Sequence, residues 1–305
     1  MRNAFSEEIT RLSKKNKKII LLSGDIGNKL FDNFKKKYPS RFINCGVAEA
    51  NMTTVAAGLA YAGYMPITYT ITSFNVLKTV EQIKLDICYQ NLPVIIVGVG
   101  SGLAYSNLGT THHSIEDVGV LNSISNLNII SPADAKELRV LLHQALKIKK
   151  PVYFRIGKKN EKIIYNNKCN SKFGDPSVLE KGKEICIFGT GNILINAIQA
   201  SKNLKNKIKP QIINIHTIKP FNEKKIYKYL KKFKKIIILE EHVDKGGLCD
   251  LIMKVSAKFK LKNIFLNHNA GNNFLVGVGN NKNARKILRL DSSSITKSII
   301  KLSKM

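Results

Sequence analysis

Arg41-Phe-Ile-Asn-Cys-Gly-Val-Ala-Glu-Ala-Asn-Met52 is the stretch on which the reading of this chain turns. Phe42 and Ile43 read as a short apolar strand that runs into Gly46. Glu49 then opens a run of small residues from Ala50 to Gly63, which predicts a helix over 49–63. Small side chains let such a helix pack closely, and the acid at its mouth is placed to meet a ligand. A first-turn acid is also favoured by the helix dipole with no ligand at all, so position alone assigns no role.

Outward from this stretch the chain alternates. Residues 18–22 read as an apolar strand ending in Ser23-Gly24-Asp25, and 66–72 as a second strand. Val76, Leu77, Val80, Ile83 and Ile87 fall at helical spacing and predict one helix over 74–89. Residues 93–99 are an apolar strand of the kind buried on both faces of a parallel sheet. After a strand at 127–130, Ser131 is expected to cap a helix with Pro132 in its first position and Asp134 completing a capping box. Leu138, Leu141, Leu142, Ala145 and Leu146 would form its buried face. A strand at 151–156 closes the first half. Residues 158–182 are polar and read as a linker over the surface; strand–helix units then resume at 185–188 and end in a helix at 294–303. The expected fold class is α/β: two doubly wound domains with mostly parallel sheets, 1–157 and 183–305.

The formal charge is +29, from 43 lysines and 7 arginines against 21 acids. Nucleic-acid readers lean on arginine for bidentate contacts, so a lysine-dominated balance argues for a solvated surface over a nucleic-acid partner. No apolar run reaches 18 residues, so no membrane helix is expected. The five cysteines are scattered and the first residues show no apolar leader core, which fits reduced thiols in a cytoplasmic protein.

Gly46-Val-Ala-Glu-Ala-Asn-Met52 resembles the glutamate motif of transketolases and related synthases. The resemblance covers about 20–300 and implies a thiamine-diphosphate pyrimidine-binding domain followed by a transketolase C-terminal domain. It implies that Glu49 hydrogen-bonds the aminopyrimidine of the cofactor, whose own chemistry then carries the reaction. Val47 matches the apolar wedge that bends the cofactor, and Asp25 an aspartate near the cofactor's central part. Phe74, with Tyr69 in reserve, matches the aromatic that stacks on the pyrimidine.

Gly109-Thr-Thr-His112-His113-Ser-Ile-Glu-Asp117 is similar to the family's histidine loop. The match implies a catalytic role for His112 as a donor or proton shuttle at the substrate, with His113 as a further substrate contact. Arg155 would bind a substrate phosphate. The loop departs from sugar-phosphate transketolases at Gly100 and Leu108, where they carry a histidine and an aspartate. That points away from ordinary pentose phosphates and toward unusual sugars, as in surface-glycan metabolism; the loop glycines would leave room for a bulkier one. Gly189-Thr-Gly191, Thr217-Ile-Lys-Pro220 and Glu240-Glu-His242 resemble landmarks of the C-terminal domain and are given no catalytic role.

The G-D-G motif with its distant asparagine, which holds magnesium and the diphosphate in this family, is missing. The resemblance therefore implies a separate N-terminal, diphosphate-binding subunit that carries Mg²⁺, and an α₂β₂ heterotetramer in which this chain is the smaller subunit. The leading expectation is a transketolase-like transferase that moves a two-carbon ketol unit between sugars or sugar phosphates and works only with its partner. The β subunit of a 2-oxo-acid dehydrogenase, or the matching part of a deoxyxylulose-phosphate synthase, is the alternative enzyme. A non-catalytic regulatory or polyanion-binding protein is the alternative of another class.

Overall fold

The computed structural model describes residues 1–27, 29–205 and 207–305. The first half runs α1 (Arg2–Lys15), β1 (Ile19–Ser23), α2 (Asp32–Lys37), β2 (Phe42–Asn44), α3 (Glu49–Tyr61), β3 (Met65–Ile71) and α4 (Thr72–Asn75). A single α turn, α5 (Val80–Gln82), leads into a π-helix over Ile83–Tyr89. Then come β4 (Ile95–Val99), α6 (Asp117–Asn122), β5 (Asn128–Ile130), α7 (Ala135–Ile148) and β6 (Val152–Ile156). The second half contains β7 (Ser177–Glu180), β8 (Ile185–Gly189), α8 (Leu194–Asn203), β9 (Gln211–Asn214), β10 (Thr217–Lys219) and α9 (Glu223–Lys232). It ends with β11 (Lys235–Leu239), α10 (Leu248–Lys258), β12 (Ile264–His268), α11 (Asn281–Ile287) and α12 (Ser292–Ser303).

The first sheet has the order β10-β5-β6-β4-β3-β1-β2 and is parallel except for β10. α1 and α7 cover one face, through Phe5, Ile9, Leu138 and Leu142. α3, α6 and the π-helix cover the other, through Met52, Ala56, Ile83, Ile87 and Leu121. The second sheet, β12-β11-β8-β9-β7, is parallel except for β7 and lies between α8/α12 on one side and α9/α10 on the other. Two α/β domains with mostly parallel sheets are therefore present, as the alternation predicts.

Four details differ. The sequence reading assigns no element to residues 2–15, yet Phe5, Ile9 and Leu12 bury one face of α1 against the first sheet. The helix predicted over 74–89 is broken. Asn75 turns its side chain into the sheet, where Nδ2 donates to the Val97 carbonyl at 2.9 Å. The backbone leaves helical geometry at Val76 and re-forms as the π-helix. Helix α7 is capped by Asp134, which accepts from the Glu137 N–H at 2.9 Å, and not by Ser131. Finally, the segment read as a surface linker buries Ile164, Cys169 and Ser171 and supplies β7, while β10 crosses back to pair with β5 of the first sheet. Periodicity reports local burial and carries no information about which sheet a short strand joins.

Buried imidazoles give this fold an acid limit. His216 is fully buried with Nε2 unpartnered, and His268 is wedged between the Arg289 carbonyl and Ser298 Oγ. Burial lowers the pKa of both. The unfolded chain then binds protons first, so stability is full above the unfolded value of about 6.5 and falls below it by up to about 1.4 kcal/mol per pH unit per histidine. Urea midpoints taken from pH 7 to pH 5 should decline, and His216→Gln should flatten the slope.

Candidate active site

The turn from β2 into α3 is built by an asparagine. The Asn44 side-chain Oδ1 accepts from the Asp25 N–H at 3.2 Å and the Gly46 N–H at 3.1 Å, and its Nδ2 donates to Asp25 Oδ1 at 3.0 Å. Gly46 sits at φ +65°, where a side chain would strain the backbone. The turn lifts Val47 clear of the protein, 73% exposed, and brings Glu49 down to 2% exposure at the first turn of α3. Glu49 Oε2 accepts from Lys78 Nζ at 2.8 Å, and that lysine is itself half-exposed.

α4 stands beside α3 and carries Phe74. The Phe74 ring meets His112 edge-on, centroids 5.2 Å apart. His112 Nδ1 lies 2.9 Å from Thr111 Oγ1. Tyr105 approaches from the other side, 6.1 Å from the imidazole. Gly100 makes this possible: it has φ +76°, and a Cβ there would sit 1.9 Å from the Tyr105 ring. Lys158 Nζ lies over the Tyr105 ring, 4.0 Å from its centroid, and desolvation, with help from Lys159 and Arg2, lowers its pKa. α3, α4 and the loop beside them thus carry a buried carboxylate, an exposed apolar side chain, an aromatic–imidazole pair and, over Tyr105, a cation.

The first 162 residues match the family model described as transketolase, pyrimidine binding domain, and residues 174–295 match that of the transketolase C-terminal domain. This chain belongs to the transketolase family. It is 32% identical to one subunit of the apulose-4-phosphate transketolase of Phocaeicola vulgatus, over 83% of this chain and 82% of that protein. It is 30% identical to 1-deoxy-D-xylulose-5-phosphate synthase of Clostridium acetobutylicum, over 97% of this chain but 48% of the synthase. A solved structure described as a split gene transketolase, inactive beta4 tetramer, superposes with a TM-score of 0.87 at 26% identity, covering 99% of this chain and 97% of that one. Membership places the chain among transferase-type enzymes and implies thiamine diphosphate as the cofactor.

The residues present fit the pyrimidine end of that cofactor. Glu49 is buried with a half-exposed partner that can swing away at little cost, Gly46 opens onto free space, and Val47 next to it stands exposed. Among the described residues no group of three or more His, Cys, Asp or Glu could hold a metal ion.

Three of the residues expected at the site lie in buried surroundings. Tyr69 is not available to a ligand: it is 1% exposed and packs on Phe5 and Phe31. Side chains of a strand alternate between faces, and Tyr69 falls on the α1 side of the sheet, opposite α3. His113 is enclosed by the protein. It is 3% exposed, with both ring nitrogens short of a partner, and burial lowers its pKa. Arg155 is committed inside the protein. Its Nε donates to Asp117 at 2.7 Å, and Nη2 donates to the Ser114 and Glu241 carbonyls. Of the loop glycines expected to leave room, Gly100 faces the Tyr105 ring and Gly109 opens onto free space. Asp25 lies at the surface in the Asn44 turn, at φ +53°.

Asn44, Lys78, Tyr105 and Lys158 are missing from the sequence reading, because each acts through a neighbour distant in the chain. So does the second domain. Its Glu240-Glu-His242 segment pins the histidine loop: His242 Nε2 accepts from the Gly119 N–H at 2.9 Å, and the Val243 N–H donates to the Ile115 carbonyl at 2.8 Å. Asn281 Nδ2 holds the Leu103 carbonyl at 2.9 Å.

Proposed function

We propose that this chain is the C-terminal subunit of a thiamine-diphosphate-dependent transketolase that transfers a two-carbon ketol unit between sugars in concert with a diphosphate-binding partner. The observation that supports this reading is the buried Glu49 at the mouth of α3, beside the exposed Val47, with the Phe74–His112 pair on the neighbouring α4 and histidine loop. When bound, thiamine diphosphate supplies a nucleophilic carbon and an electron sink for cleaving the bond next to a ketose carbonyl. Glu49 would hold the aminopyrimidine in place of Lys78 and share a proton with its ring nitrogen, and its burial would keep water from competing for that proton. Phe74 offers a face to the flat ring and Val47 an apolar edge. His112, held by Thr111 and Phe74, donates to the substrate oxygens.

Magnesium and the diphosphate belong, in this reading, to the partner, and the assembly is an α₂β₂ heterotetramer in the cytoplasm. The substrate is an unusual sugar, in keeping with the altered loop and with the apulose-4-phosphate relative. Its anionic end meets Lys158, which takes over the role expected of Arg155. Lys158→Ala should raise KM for a phosphorylated donor by about tenfold, the loss of one charge-assisted hydrogen bond, with kcat unchanged; steady-state kinetics check this.

Co-expression with the diphosphate-binding subunit and an assay for ketol transfer tests the whole reading. Activity should require both chains, thiamine diphosphate and a divalent cation. Turnover by this chain alone sinks the partner requirement. Decarboxylation of pyruvate with glyceraldehyde 3-phosphate, in place of ketol transfer, would move the assignment to the synthase side.

A further inference from the structure

Gly191, in the Gly189-Thr-Gly191 turn to which the transketolase reading gives no role, lines a cavity of about 910 Å³ between the two domains. The C-terminal ends of both sheets meet there. The ends of β5 and β6 supply Ser131, Arg155 and Gly157, and the turn after β8 supplies Gly191 and Asn192. Open α/β sheets hold ligands at that edge. Asn192 ties the turn to the first domain: its Nδ2 donates to the Ala133 carbonyl at 2.8 Å.

Two buried side chains flank Gly191 with a polar atom to spare. Arg155 is 7% exposed; its Nε and Nη2 are spent inside the protein, but Nη1 has no hydrogen-bond partner among the described residues. Ser131 is 1% exposed, and its Oγ has no partner among them either. Gly191 has φ +74°, and a Cβ there would lie 3.1 Å from Ser131 Oγ and 3.9 Å from Arg155 Nη1. The missing side chain leaves a gap walled by a guanidinium N–H and a hydroxyl. Those are donors suited to the oxygens of an anion, and a buried donor left without an acceptor is costly.

The rest of the lining identifies the ligand class. Six cations stand against two acids, and one of these, Glu241, is already held by Arg285 Nε at 2.6 Å. Ile195, Asn196, Gln199 and Lys202 line the cavity along α8, a span of about 10 Å. Asn192, Asn196 and Gln199 donate their amide N–H groups to Ala133, Leu290 and Asn203, which leaves their amide oxygens to accept from hydroxyls. Among the described residues no aromatic ring lines the cavity, so a nucleobase finds no stacking surface. Cations read a phosphate and amide oxygens read hydroxyls. We infer that the interdomain cavity binds a phosphorylated sugar, with its phosphate between Arg155 Nη1, Ser131 Oγ and the Gly191 turn and its hydroxyls along α8. Lys158 lines the same cavity and lies over Tyr105, so two sources share this chemistry. One is the far end of a long substrate that passes Lys158, which rests on the transketolase reading above; the other is a separate effector.

Calorimetry on the full chain tests the site with sorbitol 6-phosphate, a sugar phosphate with no carbonyl to react, and with sorbitol and inorganic phosphate as its halves. The whole molecule should bind at least about tenfold tighter than either half, since both its ends are held. Ser131→Ala and Lys202→Glu should each weaken it by about tenfold, as when a hydrogen bond to a charged group is lost. Melting should stay at wild type, because Ser131 Oγ has no partner to lose and Lys202 is exposed. Lys228→Glu, exposed on α9 across the second sheet, is the control and should bind like wild type. No binding by the wild-type chain, wild-type binding by both site variants, or an equal loss in the control overturns the assignment; the last outcome reduces it to attraction by the net charge. Kinetics of the enzyme assembled with the diphosphate-binding subunit separate the two sources. Inhibition by sorbitol 6-phosphate that competes with the donor sugar, and is lost in both variants, supports the site as the far end of the substrate. A change in kcat without competition, lost in both variants, supports it as an effector site. Binding that depends on Ser131 and Lys202 in an assembly that transfers no ketol units leaves the site standing and overturns the transketolase reading.

Discussion

In the assembled enzyme, Glu49→Ala should lower ketol transfer by about a thousandfold or more, within the range seen when a positioned proton-handling group is lost, while assembly and melting stay near wild type. The separation follows from the partner of Glu49. Removing a buried carboxylate is costly when it strands a buried cation, but Lys78 is 54% exposed and returns to water. The helix mouth keeps its shape, since the turn into α3 is held by Asn44 and Gly46 and not by the acid. Glu49→Gln makes the sharper comparison: it keeps the volume and removes the shared proton. Turnover near wild type in either variant would remove the catalytic assignment, and loss of assembly in Glu49→Gln would make the residue structural.

Arg155→Leu should instead destabilise the fold by about 3–5 kcal/mol, the cost of breaking a buried ion pair from one side. Asp117 is fully buried and accepts from Arg155 Nε at 2.7 Å and from the Tyr153 hydroxyl at 2.6 Å. Without the guanidinium its charge has no counterion, and the Ser114 and Glu241 carbonyls each lose a donor. Replacing both partners, Arg155→Leu with Asp117→Leu, should recover much of the loss, because the unpaired charge goes with its partner. Urea denaturation of the three variants measures this. A single variant that unfolds like wild type but shows a raised KM would restore Arg155 to the substrate.

The two arginine and lysine results bear on how far a sequence can be read. Arg155 lies at the end of a buried strand, and a guanidinium there serves a phosphate or an aspartate equally well. Only the position of Asp117, 38 residues earlier, decides between them. Lys158 is one of 43 lysines and gains meaning only from the Tyr105 ring under it. Tyr105 in turn reaches His112 because Gly100 has no side chain. Gly100 was legible as a departure from the family; what fills its place was not.

The strand–helix alternation, the glutamate at a helix mouth and the Thr-His-His loop were legible from the chain, because each is set by neighbours within a few residues. Periodicity of burial fixes element type, and a motif fixes the family and with it the chemistry expected at Glu49 and His112. Contacts across tens of residues were decided by tertiary structure alone. Tyr69 was turned to the far face of the sheet, and β10 was handed to the first domain. His113 was buried, and the second domain was set as a brace for the histidine loop. A side chain's local pattern says whether it is buried; only packing says against what, and function at this site depends on the second question.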